Sequence, residues 1–247
     1  MIQTVNFTKK YGKNTAVDGV NLSAEKGCVT GLLGPNGAGK TTILKAICGL
    51  HYATSGTVFV QDIDVAENPV AVKEIVGYVS EQPALFGSYK VRDFLDYSAK
   101  IRLASSKKDK KFYAESVEKV TFLCNIQDVL DKKIRELSKG YRQRLSFAQA
   151  LIHDPAVLVL DEPVSGLDPV QIHQMRSLIK NLAHSKTILL STHLMQEVEA
   201  LCQEVHIISK GKLVASGSVN QIAQASGCNT FEEAFLQLTA EDSQKER

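Results

Sequence analysis

The sequence predicts an α/β fold: a parallel core sheet, preceded by an antiparallel β subdomain and split by a helical insertion. Three observations carry this prediction. Strand-like runs alternate with helical ones on both sides of the chain's middle. A Gly-rich loop, GPNGAGKT at 34–41, joins an apolar run to a helical one. Between about residue 89 and residue 155 only helical spacing appears.

The elements follow in order. TVNFTK and TAVDGVNLSAE alternate like strands, with Gly12 and Gly27 at turns. CVTGLLG (28–34) is a short apolar run that enters the loop, and KTTILKAICG continues as a helix stopped at Gly49. TVFVQD (57–62) and IVGYVS (75–80) read as further strands. VRDFLDYSAKIRLA, KFYAESVEKVTFLC and YRQRLSFAQALIH supply the helical insertion. Strands resume at AVLVLDE (156–162), KTILLSTH (186–193) and VHIIS (205–209), separated by helical VQIHQMRSLIKNLAH and MQEVEALC. KGKLVASGS (210–218) is a turn and return strand. Residues 1–217 form the main domain, and 218–247 a short helical extension with a polar, frayed tail, EDSQKER.

Composition narrows the function. The 247 residues are 44% hydrophobic and 23% charged, with a net charge of +2. So balanced a charge argues against nucleic acid as the main partner, and the run KKDKK (107–111) reads as a solvated helix start. No apolar stretch approaches the roughly 18 residues that span a bilayer, and the N-terminus lacks a signal peptide's apolar core. A cytoplasmic protein is expected. The five cysteines are scattered and without a CxxC pair, as buried thiols in a reducing compartment would be.

The loop of Gly34, Pro35, Asn36, Gly37, Ala38 and Gly39 leads into Lys40, Thr41 and Thr42. Glycines let successive N–H groups turn inward to phosphate oxygens, and the helix N-terminus adds partial positive charge. Lys40 is placed to neutralise the β- and γ-phosphates, Thr41 to ligate Mg²⁺ and Thr42 to support the phosphates. AVLVLDE supplies the complement. Asp161 emerges at the end of a buried strand, where it can hold Mg²⁺ through its water shell. Glu162 beside it is the better general base for a water attacking the γ-phosphate.

A second anion site is legible in LSKGYRQR, where Ser138 and Gly140 precede a helix. Within one chain it has no phosphate to hold, because the Lys40 loop already surrounds one.

The ordered set GPNGAGKTT, LSKGYRQR, VLVLDEP, SGLDP and STH resembles the nucleotide-binding subunit of ATP-binding cassette (ABC) transporters, from roughly residue 2 to residue 217. The resemblance implies a phosphate-loop NTPase (RecA-like) core, with ATP as substrate and Mg²⁺ as cofactor. Tyr11 matches an aromatic that stacks on adenine. Ser165 to Asp168 matches a loop crossing a dimer interface, although Asp168-Pro169 also reads as a helix N-cap and first-turn proline. His193 matches a switch histidine at the γ-phosphate. The other histidines (His51, His153, His173, His184, His206) are read as structural. The family's G-Y-x-P-Q run departs here: Glu81 stands at the glutamine's place and Gln82 one residue late. Gln82 is preferred for the metal and water contact, with Glu81 as the alternative.

The same resemblance implies two cassettes arranged head to tail, each signature loop closing over its partner's ATP. A separately encoded membrane permease would dock near residues 81–89, holding the subunit at the inner face of the membrane. Lys139 and Tyr141 replace the usual residues of L-S-G-G-Q. The tail GCNTFEEAFLQLT, with LSKGYRQR and STHLMQEVE, resembles subunits of exporters of drugs, antibiotics, sodium or lipid-linked sugars. The competing readings are a non-transport ABC ATPase acting on nucleic acid or ribosomes, and a small-molecule kinase. The first usually carries coiled coils, zinc modules or two cassettes, and the second needs an acceptor site; the sequence shows none of these.

Overall fold

The computed structural model describes residues 1–103 and 110–244. Most of KKDKK and the last residues of EDSQKER lie outside them. Two sheets build the molecule. The first is antiparallel, in the order β2-β1-β4-β5, formed by β1 (Ile2–Tyr11), β2 (Asn14–Ala24), β4 (Ser55–Val60) and β5 (Ile63–Asp64). The second has six strands in the order β10-β9-β3-β8-β7-β6. These are β3 (Val29–Leu33), β6 (Val76–Val79), β7 (Val157–Asp161), β8 (Thr187–Thr192), β9 (Glu204–Ser209) and β10 (Lys212–Gly217). All neighbours are parallel except β10 on β9.

Every residue of β3, β7 and β8 is buried, as expected of parallel strands covered on both faces. Successive side chains point to opposite faces and feed two cores. Val157 and Val159 join Ile43 and Ile47 of α1 (Lys40–Ile47) and the N-terminal strands. Leu158 and Leu160 join Phe94, Leu145 and Phe147 of the helical insertion. That insertion comprises α3 (Val91–Arg102), α4 (Lys110–Leu123) and α5 (Lys139–Leu151). It leaves the sheet after β6 and returns at β7, its immediate parallel neighbour.

After β7 come α6 (Pro169–Ala183) and α7 (Met195–Leu201), whose Met175, Ile179 and Leu201 join the same core as Leu158 and Leu160. At the C-terminus, α8 (Val219–Ala225) and α9 (Phe231–Gln244) bury Ile222, Phe231 and Ala234 against Leu33, Val205 and Ile207.

Two local expectations are corrected and one element is added. The strand at 57–62 ends at Val60, because Gln61 and Asp62 take left-handed φ values of 48° and 65° and turn the chain into β5. A short helix, α2 (Pro69–Ile75), precedes β6, entered by Pro69 in its first turn. The last helix runs through Gln244, since Ala-Glu-Asp-Ser-Gln contains no helix breaker.

Candidate functional site

The C-terminal ends of β3, β8 and β7, which are adjacent, open on one cleft. Its volume is about 330 Å³, and it is lined by Ala16, residues 36–42, Glu81, Asp161, Glu162 and His193. The loop after β3 fits tightly. A Cβ at position 34 would lie 2.2 Å from the Ile208 carbonyl oxygen, and one at position 39, where φ is 105°, 2.7 Å from that of Ala16. Only glycine is accommodated at either position.

Lys40 is buried at the start of α1. Its ammonium donates to the carbonyls of Gly34 at 2.7 Å and Pro35 at 3.1 Å, and stands 3.9 Å from Glu162 Oε1. Burial lowers its pKa, while Glu162, Asp161 and Glu81 pull the other way. A partly desolvated cation ringed by acceptors suits a polyanion. Thr41, one residue on, donates its hydroxyl to Asp161 Oδ2 at 3.0 Å. Ser191 of β8 donates to Asp161 Oδ1 at 2.5 Å, and the Tyr78 hydroxyl of β6 approaches Oδ2 at 3.4 Å. Burial, then Asp161, raise the pKa of Tyr78, keeping it protonated as a donor.

This donor set fits Mg²⁺. One carboxylate and one hydroxyl face each other, and no group of three His, Cys, Asp or Glu that could hold a metal occurs among the described residues. A hard ion that keeps several waters and takes substrate phosphates needs no fuller protein cage.

Glu162 is buried and held at a left-handed φ of 49°. Its N–H donates to the Ser191 carbonyl at 3.1 Å. Backbone strain of this kind persists where surrounding structure enforces it. Its Oε1 lies 2.9 Å from His193 Nδ1. The sequence-predicted acid, base, cation and hydroxyl thus converge, although Thr41 and Asp161 are 120 positions apart.

Five predicted residues stand apart from the cleft: Tyr11, Gln82, Ser138, Gly140 and Asp168. Glu81, not Gln82, lines the cleft, and its charge reaches both Lys40 and Tyr78. Gln82 lines only a second hollow of about 300 Å³, which it shares with Glu81, Pro83, Leu85, Lys139, Arg142 and Ser165. Of the two residues the sequence offered for the metal and water contact, Glu81 is the one that lines the cleft. Ser138 caps α5, its hydroxyl accepting from Tyr141 N at 3.3 Å. Asp168 caps α6, accepting from Gln171 N at 2.9 Å. Neither Ser138 nor Asp168 lines the cleft, nor does Gly140, which packs against Gln171. Tyr11 is also outside it and is 50% exposed, which removes a core role for that ring.

The structure adds a feature the sequence did not yield: Phe86, Tyr89 and Tyr97 form an exposed aromatic cluster with ring centroids 5.7–6.4 Å apart. Their spacing in the chain follows no single period, because two lie on a loop and one on α3.

Comparison with known proteins agrees with this geometry. The ABC transporter family profile matches residues 17–165, more than half of the chain. An uncharacterized ABC transporter ATP-binding protein, YhaQ of Bacillus subtilis, is 37% identical over 228 residues, covering 92% of this chain and 74% of that one. The bacitracin transport ATP-binding protein BcrA of Enterococcus faecalis is 35% identical over 224 residues, covering 90% and 70%. The Nod factor export ATP-binding protein I of Burkholderia orbicola is 36% identical over 229 residues, covering 92% and 74%. Among solved structures, the ATP-binding subunit of an ABC transporter superposes with a TM-score of 0.85 at 24% identity, covering 97% of this chain and 99% of that one. A dimeric bacterial ABC transporter cassette gives 0.79 at 22% identity, covering 88% and 98%. The relatives are transporter subunits, which favours transport over the non-transport reading. The chain belongs to the ABC transporter family, as an ATP-binding and ATP-hydrolysing subunit.

Proposed function

We propose that this subunit drives export through a separate membrane permease, working as one of a head-to-tail pair of cassettes. The convergence of Lys40, Thr41, Asp161, Glu162 and His193 on one cleft carries the reading. The phosphate loop N–H groups and Lys40 bind the ATP phosphates. Thr41 and Asp161 hold Mg²⁺, which when bound neutralises charge on the β- and γ-phosphates. Glu162 takes the proton of the attacking water, and His193 orients the carboxylate through their 2.9 Å contact. Glu81 stands at the cleft edge to contact the metal's water shell or the attacking water. Tyr11 stacks on the adenine.

Ser138 is exposed at the N-terminus of α5, with Gly140 buried behind it, and a partner's γ-phosphate is the anion that would complete this end. Asp168 lies at the same interface. The exposed cluster of Phe86, Tyr89 and Tyr97 supports docking of the permease beside residues 81–89. On this reading the partner holds the subunit at the inner membrane face; among the described residues no helix is long and apolar enough to cross a membrane. Export is supported by the relatives that transport bacitracin or export Nod factor.

Affinity purification of the tagged chain from solubilised membranes tests this reading. A polytopic membrane protein should co-purify and stimulate ATP hydrolysis. Recovery of ribosomal RNA or DNA in its place overturns the assignment.

A further inference from the structure

His51 has the look of an ordinary structural histidine in the sequence, but its surroundings are different. Both ring nitrogens are enclosed and have no hydrogen-bond partner within the protein. Leaving two polar atoms so is costly unless water serves them. The ring borders a cavity of about 80 Å³, shared with Tyr52, Thr57, Val58 and Asp64, which has room for water. Burial, then the Lys9 charge, hold its pKa below the ordinary value, so the imidazole is neutral at physiological pH.

The other side of His51 meets Tyr11. Their ring centroids are 6.1 Å apart and the planes perpendicular. The backbone around this contact is stitched together. Lys9 Nζ lies 5.3 Å from the Tyr11 centroid and donates to the Tyr52 carbonyl at 2.7 Å. Lys10 N donates to Thr54 Oγ1 at 2.9 Å, and Thr54 N to the Thr8 carbonyl at 2.8 Å. Residues 51–54, which follow α1, are thereby fastened to the end of β1. One short helix carries Lys40 at its start and delivers His51 to Tyr11 just beyond its end.

We propose that His51 is a positioning residue for nucleotide binding, holding the exposed Tyr11 ring in the orientation that receives the adenine base. The proposal rests on the reading of Tyr11 as the adenine-stacking residue. An unsupported half-exposed tyrosine would sample several rotamers and lose entropy when a base arrived. A perpendicular aromatic neighbour restricts that sampling beforehand.

The test is a double-mutant cycle on ATP affinity, using Tyr11→Ala, His51→Ala, His51→Phe and the Tyr11→Ala/His51→Ala pair, with inorganic triphosphate as a base-free control. His51→Ala should weaken ATP binding about 2- to 12-fold, the range an edge-on aromatic pair supplies. KM should rise with kcat unchanged, triphosphate binding should not move, and His51→Phe should restore affinity. Once Tyr11 is alanine, removing His51 should cost nothing more. An equal loss with and without Tyr11, or a parallel loss for triphosphate, overturns the positioning role. If Tyr11→Ala weakens ATP and His51→Ala does not, the positioning role falls alone. If Tyr11→Ala leaves ATP affinity unchanged, the adenine reading falls and the proposal with it.

Discussion

Glu162 and His193 are joined at 2.9 Å although one leaves β7 and the other follows β8. The contact fixes a carboxylate whose backbone is already held at an unusual φ. Glu162→Gln should therefore retain ATP affinity while losing turnover by at least about 100-fold, the usual span of a general base. With ATP present the variant should elute as a dimer on size-exclusion chromatography. Wild-type turnover in this variant removes Glu162 from the base role.

Lys40 offers a second measurement. Its buried ammonium donates to the Gly34 and Pro35 carbonyls, and in the proposed role it exchanges them for phosphate oxygens. Charge-assisted hydrogen bonds are worth about 1.5–3 kcal/mol, so Lys40→Ala should weaken ATP about 10- to 150-fold and abolish hydrolysis. Equilibrium binding of a fluorescent ATP analogue reads this directly. Unchanged affinity sinks the assignment.

Glu81 and Gln82 separate cleanly, since only Glu81 lines the nucleotide cleft. Glu81→Ala should lower kcat and shift the Mg²⁺ concentration that gives half-maximal activity. Gln82→Ala should stay within about twofold of wild type, as substitutions away from a site do. The reverse pattern in steady-state kinetics restores Gln82.

His153 predicts a pH effect on stability. Its Nε2 contacts the Val76 carbonyl at 3.2 Å, and burial, with Arg102 nearby, lowers its pKa to about 4. The unfolded chain takes this proton near the ordinary value of 6.5. Between those values the unfolded state binds more protons, so stability falls as pH drops through the window and levels off below it. Discounting for partial solvent contact, the loss is about 1–3 kcal/mol. Urea midpoints at neutral pH and at about pH 4.5 should fall less for His153→Gln, which has no proton to gain. Equal shifts in both proteins would assign the acid sensitivity elsewhere.

Motifs whose chemistry depends on fixed neighbours were legible before any coordinates. The Lys40 loop and Asp161-Glu162 sit at ends of apolar strands, and both their burial and their orientation follow from that pattern. The helical insertion was equally plain, because nothing with a period of two interrupts 89–155. The choice between Glu81 and Gln82 stayed open because it depends on which way the chain turns after β6, a geometric fact with no local signature. The setting of His51 was not legible, because the cavity its ring borders is lined from β4 and β5. Tyr11 was ambiguous because an aromatic closing a strand is compatible with core and surface alike.

The excursion between Val79 and Val157 begins and ends on neighbouring parallel strands. The ladder that seats Glu81 and Asp161 is thus closed by its own hydrogen bonds, whatever the intervening helices contain. Such an arrangement is modular. The arm can vary in length and surface without disturbing the strand ends that carry the phosphate chemistry at its root.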